Sequence, residues 1–290
     1  MPAHFIELFV ITLVAATVNG ALGYGFSSIT VPLALLFLTN RVLNPALVLI
    51  EVALNAWVLW VNRAALTAVW RRVLPIVIGL APGIIVGTMI VSRVNPGYLK
   101  LATYFILLPL IFFQAAGYRR PVQSERSAGL AFGGGVGVLY SVTTISGPPL
   151  AVALANQGFA QTEFRAALGF VRLAESSMTA VAYGSAGLIT AGSIGLIPQI
   201  LPGVFLGVPI GAFLIRRVRP DTFRRLCMSF DAWIVAFGIA TQFRDLGIVP
   251  GNAAYLVMAL VGLLDGSMLY RFFTARARSA PASANLKSAV

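Results

Sequence analysis

The sequence has few charged residues, one cysteine and one histidine. Of its 290 residues only 10% are charged, whereas a soluble domain of this size normally contains about a quarter. Cys227 and His4 are the only residues of their types, which excludes an intrachain disulfide framework and a metal cluster built on cysteine. The H-E-x-x-H motif is also absent. We therefore expect a protein that is not an enzyme and that needs no metal or other cofactor.

The chain is instead rich in long apolar segments. Hydrophobic residues make up 58% of it, and its mean hydropathy is +0.88. Seven apolar runs have about the length that a helix needs to cross ~30 Å of hydrocarbon. They are Leu43–Trp60, Val73–Val91, Leu99–Phe113, Ala166–Gly187, Ile194–Ile215, Leu226–Phe243 and Ala253–Tyr270. The sequence therefore predicts an all-α polytopic membrane protein.

The positive net charge of +12 is explained by membrane topology. The basic residues lie in loops between apolar runs, so we expect membrane lipid, and no nucleic acid, as a partner. No Lys or Arg precedes Arg41, so the basic region of a cleaved signal peptide is missing and the first apolar run is expected to be retained. The arginines of Arg216–Arg225 predict a cytoplasmic anchor near anionic lipid. Residues 274–290, rich in Ala, Ser and Arg, predict a disordered cytoplasmic tail.

Two halves of the sequence match each other in the same order, which indicates an internal repeat. The matching pairs are Gly20 and Pro32 with Gly137 and Pro149, "APGIIVG" (Ala81–Gly87) with "LPGVFLG" (Leu201–Gly207), and "RVNPGYLK" (Arg93–Lys100) with "RVRPDTFR" (Arg217–Arg224). Internal repeats of this kind recur in secondary transporters. The predicted parts are a first transmembrane repeat (1–116), a cytoplasmic linker (117–127), a second transmembrane repeat (128–243), a final helix (244–273) and the tail (274–290).

Loop charges indicate that the two repeats have inverted topology. Each repeat has one broken element followed by three full helices. If the broken elements cross the membrane, Lys and Arg divide 7 against 13 between the two sides; if they are re-entrant hairpins, the division is 4 against 16. The positive-inside bias favours hairpins. We expect a bacterial inner-membrane protein with its N-terminus outside and its C-terminus in the cytoplasm.

The two broken elements predict one anion site. They read "GALGYGFSSITVP" (Gly20–Pro32) and "GVLYSVTTISGPP" (Gly137–Pro149), and each half-helix that starts there presents free N–H groups and the positive end of its dipole. The candidate binding residues in the breaks are Tyr24, Ser27, Ser28, Thr30, Tyr140, Thr143, Thr144, Ser146 and Gly147. The alternative interpretation is that both breaks are helix kinks with small-residue packing.

Arg172 strengthens the prediction of an anion site, because it lies inside the apolar run Ala166–Gly187. A charge at such depth usually marks a site or pairs with another charge. Glu175 follows on the same helix face, and Glu51 and Asn55 lie one turn apart on an earlier helix. Asn55 is a candidate donor to the anion. Glu51 and Glu175 are candidates either for carrying a coupling proton or for an ion pair with Arg172.

The small residues of the "PGxxxG" segments are interpreted as packing sites. Gly83 and Gly87, and likewise Gly203 and Gly207, lie one helical turn apart, which allows close contact between helices. Small-residue faces of this kind would also permit a homodimer.

At these segments the sequence resembles the TauE/SafE sulfite-exporter family of bacterial membrane transporters. The resemblance covers roughly residues 5–243 and rests on "VPLALLF" (Val31–Phe37), "GPPLAVAL" (Gly147–Leu154) and "EFRAAL" (Glu163–Leu168). It implies transport of sulfite or a small organosulfonate. Where relatives often have more glycines, this chain has bulkier residues from Tyr24 to Ser28, and Arg172 stands where an apolar residue is expected, which favours an organic anion.

The predicted function is therefore a secondary transporter of a small sulfur-containing anion, working by alternating access. Two alternatives use the same site: a passive anion channel, and a transporter of a small carboxylate.

Overall fold

A computed structural model of the chain describes residues 5–22, 24–115, 126–155, 159–214, 217, 220–249 and 251–287. Within these ranges the chain forms eleven α-helices and two short 3-10 turns, with no strand. The helices are α1 (Phe5–Leu22), α2 (Phe26–Ala34), α3 (Asn40–Val61), α4 (Leu66–Arg93), α5 (Pro96–Ala115), α6 (Arg126–Thr143), α7 (Gly147–Ala155), α8 (Gln161–Ser185), α9 (Ala191–Leu214), α10 (Pro220–Asp245) and α11 (Leu256–Lys287).

Five helical segments of the described chain are long and apolar enough to cross a membrane. They are Asn40–Val61, Arg63–Arg93, Ala191–Leu214, Arg225–Asp245 and Gly251–Thr274. The predicted run Leu99–Phe113 lies within α5, whose apolar part is shorter. The run Ala166–Gly187 overlaps α8, which has 25 residues and ends at Ser185 but is not one of the five. Polar and charged residues such as Arg172 and Glu175 lower the hydropathy of α8.

Both predicted breaks are present, and each contains a residue with left-handed backbone. Gly25 (φ 107°) directly precedes α2, and Thr144 (φ 56°) follows the last residue of α6. Glycine adopts this conformation without penalty, whereas a threonine is strained in it. Pro32 lies in the last turn of α2, and its free carbonyl accepts a hydrogen bond from the Tyr104 hydroxyl (3.0 Å). The chain therefore stops and restarts a helix at equivalent places in its two halves.

Helices of one half pack against helices of the other through close contacts at glycines. α1 packs along α9, and α4 packs along α6. A Cβ atom on Gly83 would overlap the backbone of Gly134 in α6, and one on Gly203 would overlap Thr12 in α1. Gly87 and Gly207 make equally close contacts. The prediction that the "PGxxxG" segments serve helix packing is confirmed, because only glycine permits these crossings.

Equivalent helices of the two halves run antiparallel to each other. α3 faces α8, with Leu59 against Gly169 and Asn55 against Ser176 further back along α3. α5 faces α10 in the same way: Gly97 lies against Leu246, and the ring of Tyr104 lies against Gly238. By contrast, α4 runs parallel to α6, because Gly79 lies against Leu130 and Gly83 against Gly134.

The structure differs from two expectations about the tail and the arginines of Arg216–Arg225. Residues 274–287, expected to be a disordered tail, continue α11 as far as Lys287. Alanine, arginine and lysine have high helix propensity, which accounts for this continuation. Arg225, expected to be an exposed anchor, is only 3% exposed and forms an ion pair with Asp265 of α11 (2.7 Å). Of the predicted linker 117–127, residues 117–125 lie outside the described ranges.

Candidate functional site

The two helix breaks lie against each other, as the sequence predicts. Tyr24, just before α2, packs on Gly147, the first residue of α7, where a Cβ atom would lie 3.4 Å from that of Tyr24. Ser27 of α2 and Tyr140 of α6 both donate hydrogen bonds to Glu51 of α3. Segments more than a hundred residues apart in the chain therefore converge on one carboxylate.

Glu51 accepts three hydrogen bonds in a nearly water-free environment. Its Oε1 accepts from Ser27 and from Nη2 of Arg172 (2.9 Å), and its Oε2 accepts from the Tyr140 hydroxyl (2.6 Å). Glu51 is 1% exposed and Arg172 is 5% exposed. Of the ion pairs considered from the sequence, the structure forms the one between Arg172 and Glu51. Charge-assisted bonds of this kind are the strong ones in a low-dielectric interior.

Glu175 lies beside this ion pair but has a different environment. One of its oxygens, Oε2, accepts a hydrogen bond from Ser146, and the other, Oε1, has no partner within the described part of the chain. Glu175 is fully buried and interacts electrostatically with Arg172 and Glu51. Each half of the chain thus supplies one serine–carboxylate pair, Ser27–Glu51 and Ser146–Glu175, while only one of the two carboxylates receives the arginine.

Three buried polar atoms on α2 and α8 have no partner among the described residues. They are Nε of Arg172 and the hydroxyls of Thr30 and Thr179. Thr30 lies one turn from Ser27 on α2, and Thr179 lies one turn from Glu175 on α8, so both share a helix face with a candidate site residue. Buried polar atoms are nearly always hydrogen-bonded in folded proteins. The unpartnered Nε of a buried arginine is a donor that an anion could use.

The comparison with family models decides the family. The model described as "Sulfite exporter TauE/SafE" matches residues 8–239 of the 290. The chain belongs to the TauE/SafE family. Members are membrane transporters, and membership together with the apolar helices indicates a multi-pass membrane protein that handles sulfite or a related sulfur anion. Searches of curated proteins and of solved structures gave no match.

The TauE/SafE match includes both breaks and all the polar residues that contact Glu51 and Glu175. Asn55, predicted as a donor to the anion, instead donates from Nδ2 to the backbone carbonyl of Arg172 (3.3 Å). Ser176 donates to the same carbonyl (2.8 Å). Asn55 therefore positions the helical turn that carries Arg172.

Two predicted site residues donate their hydroxyls to the backbone, and a third lies on a different helix face from Ser27. Thr143 donates to the carbonyl of Leu139 (2.7 Å), and Thr144 donates to the carbonyl of Thr143 (2.7 Å). These bonds satisfy the backbone where α6 ends. Ser28 is half-buried and next to Ser27, and adjacent helical residues do not share a face. Because a break needs its own polar groups satisfied, not every hydroxyl in it is free for a ligand.

Four polar residues of functional interest were not predicted from the sequence. Ser176 and Thr179 extend the polar face of α8, and their signal was the i, i+4 spacing from Arg172 and Glu175. Arg225 and Asp265 form a second buried ion pair, which Ser229 also contacts (3.1 Å). Asp265 lies outside the matched family range. No group of three or more His, Cys, Asp or Glu side chains that could hold a metal occurs among the described residues.

Proposed function

We propose that this TauE/SafE protein is a secondary transporter of a small sulfur-containing anion, a C2 sulfonate or sulfite, working by alternating access. The observation that carries the proposal is Arg172, a buried arginine whose Nε lacks a partner and which lies where the two helix breaks meet. Nε and the outward guanidinium nitrogens form a planar fork suited to the oxygens of an oxyanion. Family membership supports the sulfur chemistry of the cargo.

The surroundings of Arg172 supply further donors for such an anion. α2 begins at the first break, so its first N–H groups are free of intrahelical partners. At the start of α7, Pro148 and Pro149 have no N–H, so only the N–H of Gly147 is available there. The hydroxyl of Thr30 on α2 has no partner among the described residues, whereas those of Ser27 and Ser146 already donate to Glu51 and Glu175. In this proposal Tyr24 contacts the organic part of a sulfonate. Tyr140 and Asn55 hold Glu51 and Arg172 in position.

We further propose inverted-topology repeats with re-entrant hairpins. A two-fold axis in the membrane plane reverses every helix, so equivalent helices run antiparallel, whereas parallel repeats keep one direction. The antiparallel registers of α3 with α8 and of α5 with α10 support inversion. The parallel run of α4 and α6 also agrees with it, because α6 is then an inverted α1.

The loop charges give this arrangement an orientation in the bacterial inner membrane. With re-entrant hairpins, 16 basic residues lie on one side and 4 on the other. Moving buried Arg225 out of the first group leaves 15 against 4. The positive-inside bias then supports an N-terminus outside and a C-terminus in the cytoplasm.

The packing also supports alternating access. Residues of α4, α6, α7 and α8 form one apolar core, and residues of α1, α2, α3, α9 and α10 contribute to another. The ion pair between Glu51 of α3 and Arg172 of α8 joins the two bodies. Rocking of one body against the other would open the site to each side in turn.

A ligand screen on the purified protein tests the proposal. Thermal unfolding in detergent would be compared with sulfite, sulfate, thiosulfate, taurine, isethionate, sulfoacetate and matched carboxylates. A ligand at 100 times its dissociation constant stabilises the fold by about 2.7 kcal/mol. We expect sulfite or a sulfonate to give this stabilisation selectively. Stabilisation by carboxylates alone would contradict the assignment of cargo.

Arg225→Met is a matched control for Arg172→Met. Both variants remove a buried arginine that pairs with an acidic residue, so both are expected to lower stability. Only Arg172→Met should lose the ligand-induced stabilisation. Equal loss in both variants would show that Arg172 has no specific role. Substrate counterflow in proteoliposomes then distinguishes a carrier from a passive channel, since a channel does not exchange substrate against a gradient.

A further inference from the structure

We propose that Glu175 carries a proton that moves together with the anion, and that Glu51 remains the ionised partner of Arg172. This inference rests on the transport function proposed above and assigns different roles to the two buried carboxylates. It starts from their unequal hydrogen bonding. Glu51 receives three donors, one of them a guanidinium, whereas Glu175 receives only the Ser146 hydroxyl.

The charge balance of the cluster requires one neutral carboxyl group. Glu51, Glu175 and Arg172 are all buried, and with both carboxylates ionised the three side chains carry one uncompensated negative charge. An isolated buried carboxylate is strongly disfavoured, so such a group takes up a proton instead. The hydrogen bonds decide which one does. Donors, and above all Arg172, stabilise the ionised form of Glu51.

Glu175 has the free atom on which the proton would reside. Its Oε1 is buried and has no hydrogen-bond partner among the described residues, while Oε2 is occupied by Ser146. A proton taken from water forms an O–H bond at Oε1 and is returned to water when that bond breaks. The O–H group would donate to an oxygen of an anion held by Arg172, which lies one turn away on the same helix.

Among the described residues, few groups interact electrostatically with the carboxyl group of Glu175. The groups that act on it are Arg172 on its own helix, Glu51 of α3 and the hydroxyl of Ser146. Tyr140 of α6 also faces the two carboxylates. The charged residues of α4 and of the turn before it are not among them. They are Arg63, Arg71, Arg72 and Arg93.

Proton and anion are coupled by this geometry. An ionised Glu175 repels an anion at Arg172, whereas a protonated Glu175 donates to it. The anion therefore favours protonation of Glu175, and by thermodynamic linkage protonation increases anion affinity by the same factor. Relative to the empty site with Glu175 ionised, the loaded site gains no net charge, because one proton accompanies one monovalent anion. Net flux then follows the sum of the proton and anion gradients.

Proteoliposomes test the coupling, with radiolabelled isethionate and radiolabelled sulfite run separately and a pH-sensitive dye inside. A sulfonate stays ionised over the working pH range, so its pH dependence reports on the protein. We expect an imposed inward proton gradient to drive accumulation of the anion in the wild type, with acidification of the lumen as protons enter with it. Glu175→Gln should give no gradient-driven accumulation, and its remaining counterflow should be independent of pH, whatever its rate.

Glu51→Gln is the matched control, since it removes the neighbouring carboxylate. This variant should bind the anion less tightly but keep its pH dependence. Coupling that persists in Glu175→Gln, or pH dependence that disappears only in Glu51→Gln, would overturn the proposal. So would net anion uptake in the wild type that moves no protons.

Two further measurements distinguish a failure of the coupling proposal from a failure of the proposed transport function. If the wild type shows no counterflow with either anion, the transport function itself fails. If Glu175→Gln is inactive, ligand-induced thermal stabilisation is measured across pH: pH-independent binding supports the proposal, and unchanged pH dependence or absence of binding contradicts it. Infrared difference spectra on ligand binding should show a protonated carboxyl band in the wild type that Glu175→Gln lacks.

Discussion

The ion pair between Glu51 and Arg172 yields a prediction about stability that a double-mutant cycle can test. Removing one member of a buried pair leaves the other uncompensated, which costs about 3–5 kcal/mol, whereas replacing both with neutral residues is close to neutral. We therefore expect Arg172→Met to destabilise the protein by about 3 kcal/mol or more. Glu51→Gln should be milder, because Glu175 still faces Arg172. The double variant should lie within about 1–2 kcal/mol of the wild type.

The geometry of the ion pair indicates the sign and the approximate size of the coupling energy between Arg172 and Glu51. Nη2 of Arg172 lies 2.9 Å from Oε1 of Glu51, and both side chains are almost completely buried. Residues in direct contact show interaction energies of about 0.5–3 kcal/mol in such cycles, and this pair should lie near the upper end. The loss in Arg172→Met corresponds to a decrease in the unfolding temperature on the order of 10 °C.

Unfolding by sodium dodecyl sulfate in mixed micelles, followed by tryptophan fluorescence, measures the four corners of the cycle. Ligand-induced stabilisation is measured on the same samples. We expect the double variant to be well folded but unresponsive to the anion, which separates the structural role of the pair from the binding role of Arg172. Additive losses in the double variant would refute the reasoning, since they would show that the two side chains do not stabilise each other.

Four other variants test the packing and the breaks. Gly83→Ala should lower stability by about 1–3 kcal/mol in the same micelle assay, because the added Cβ atom meets the backbone of α6. Gly135→Ala is the control: a Cβ atom there has nothing within 4 Å, so this variant should be neutral or stabilising. Tyr140→Phe should lower stability by about 1.5–3 kcal/mol through loss of its bond to a carboxylate; no change would show that this bond contributes nothing. Thr144→Gly should stay within about 1 kcal/mol of the wild type by chemical unfolding, because relief of left-handed strain offsets the lost hydroxyl bond.

The sequence was sufficient to predict features that depend on local composition. Both breaks are visible as clusters of glycine, serine and proline inside apolar runs, because such residues interrupt a membrane helix wherever they occur. The packing role of Gly83 and Gly203 followed from spacing alone. Arg172 was recognisable as a site residue because a charge within an apolar run is rare and needs a reason.

Features that depend on tertiary contacts were not predictable. Glu175 is the nearest carboxylate to Arg172 in sequence, yet the ion pair forms with Glu51 on another helix, because helix packing decides which carboxylate reaches the guanidinium. The hydroxyls of Thr143 and Thr144 were assigned to a ligand but satisfy backbone carbonyls. Arg225 was interpreted together with the other arginines of Arg216–Arg225, since nothing in the sequence connects it to Asp265.

The two halves of the protein place the same elements around the site but do not place the same charges. Each half contributes a broken helix and a serine that donates to a carboxylate on the following helix. If the repeats were symmetric in charge, the two carboxylates would be equivalent and neither could be assigned a separate role. Arg172 occurs in one half only and bonds to the carboxylate of the other. In the mechanism that we propose, that single residue makes Glu51 the fixed counter-ion and leaves Glu175 free to exchange a proton, so the asymmetry between the repeats would allow one site to bind an anion and couple it to a proton.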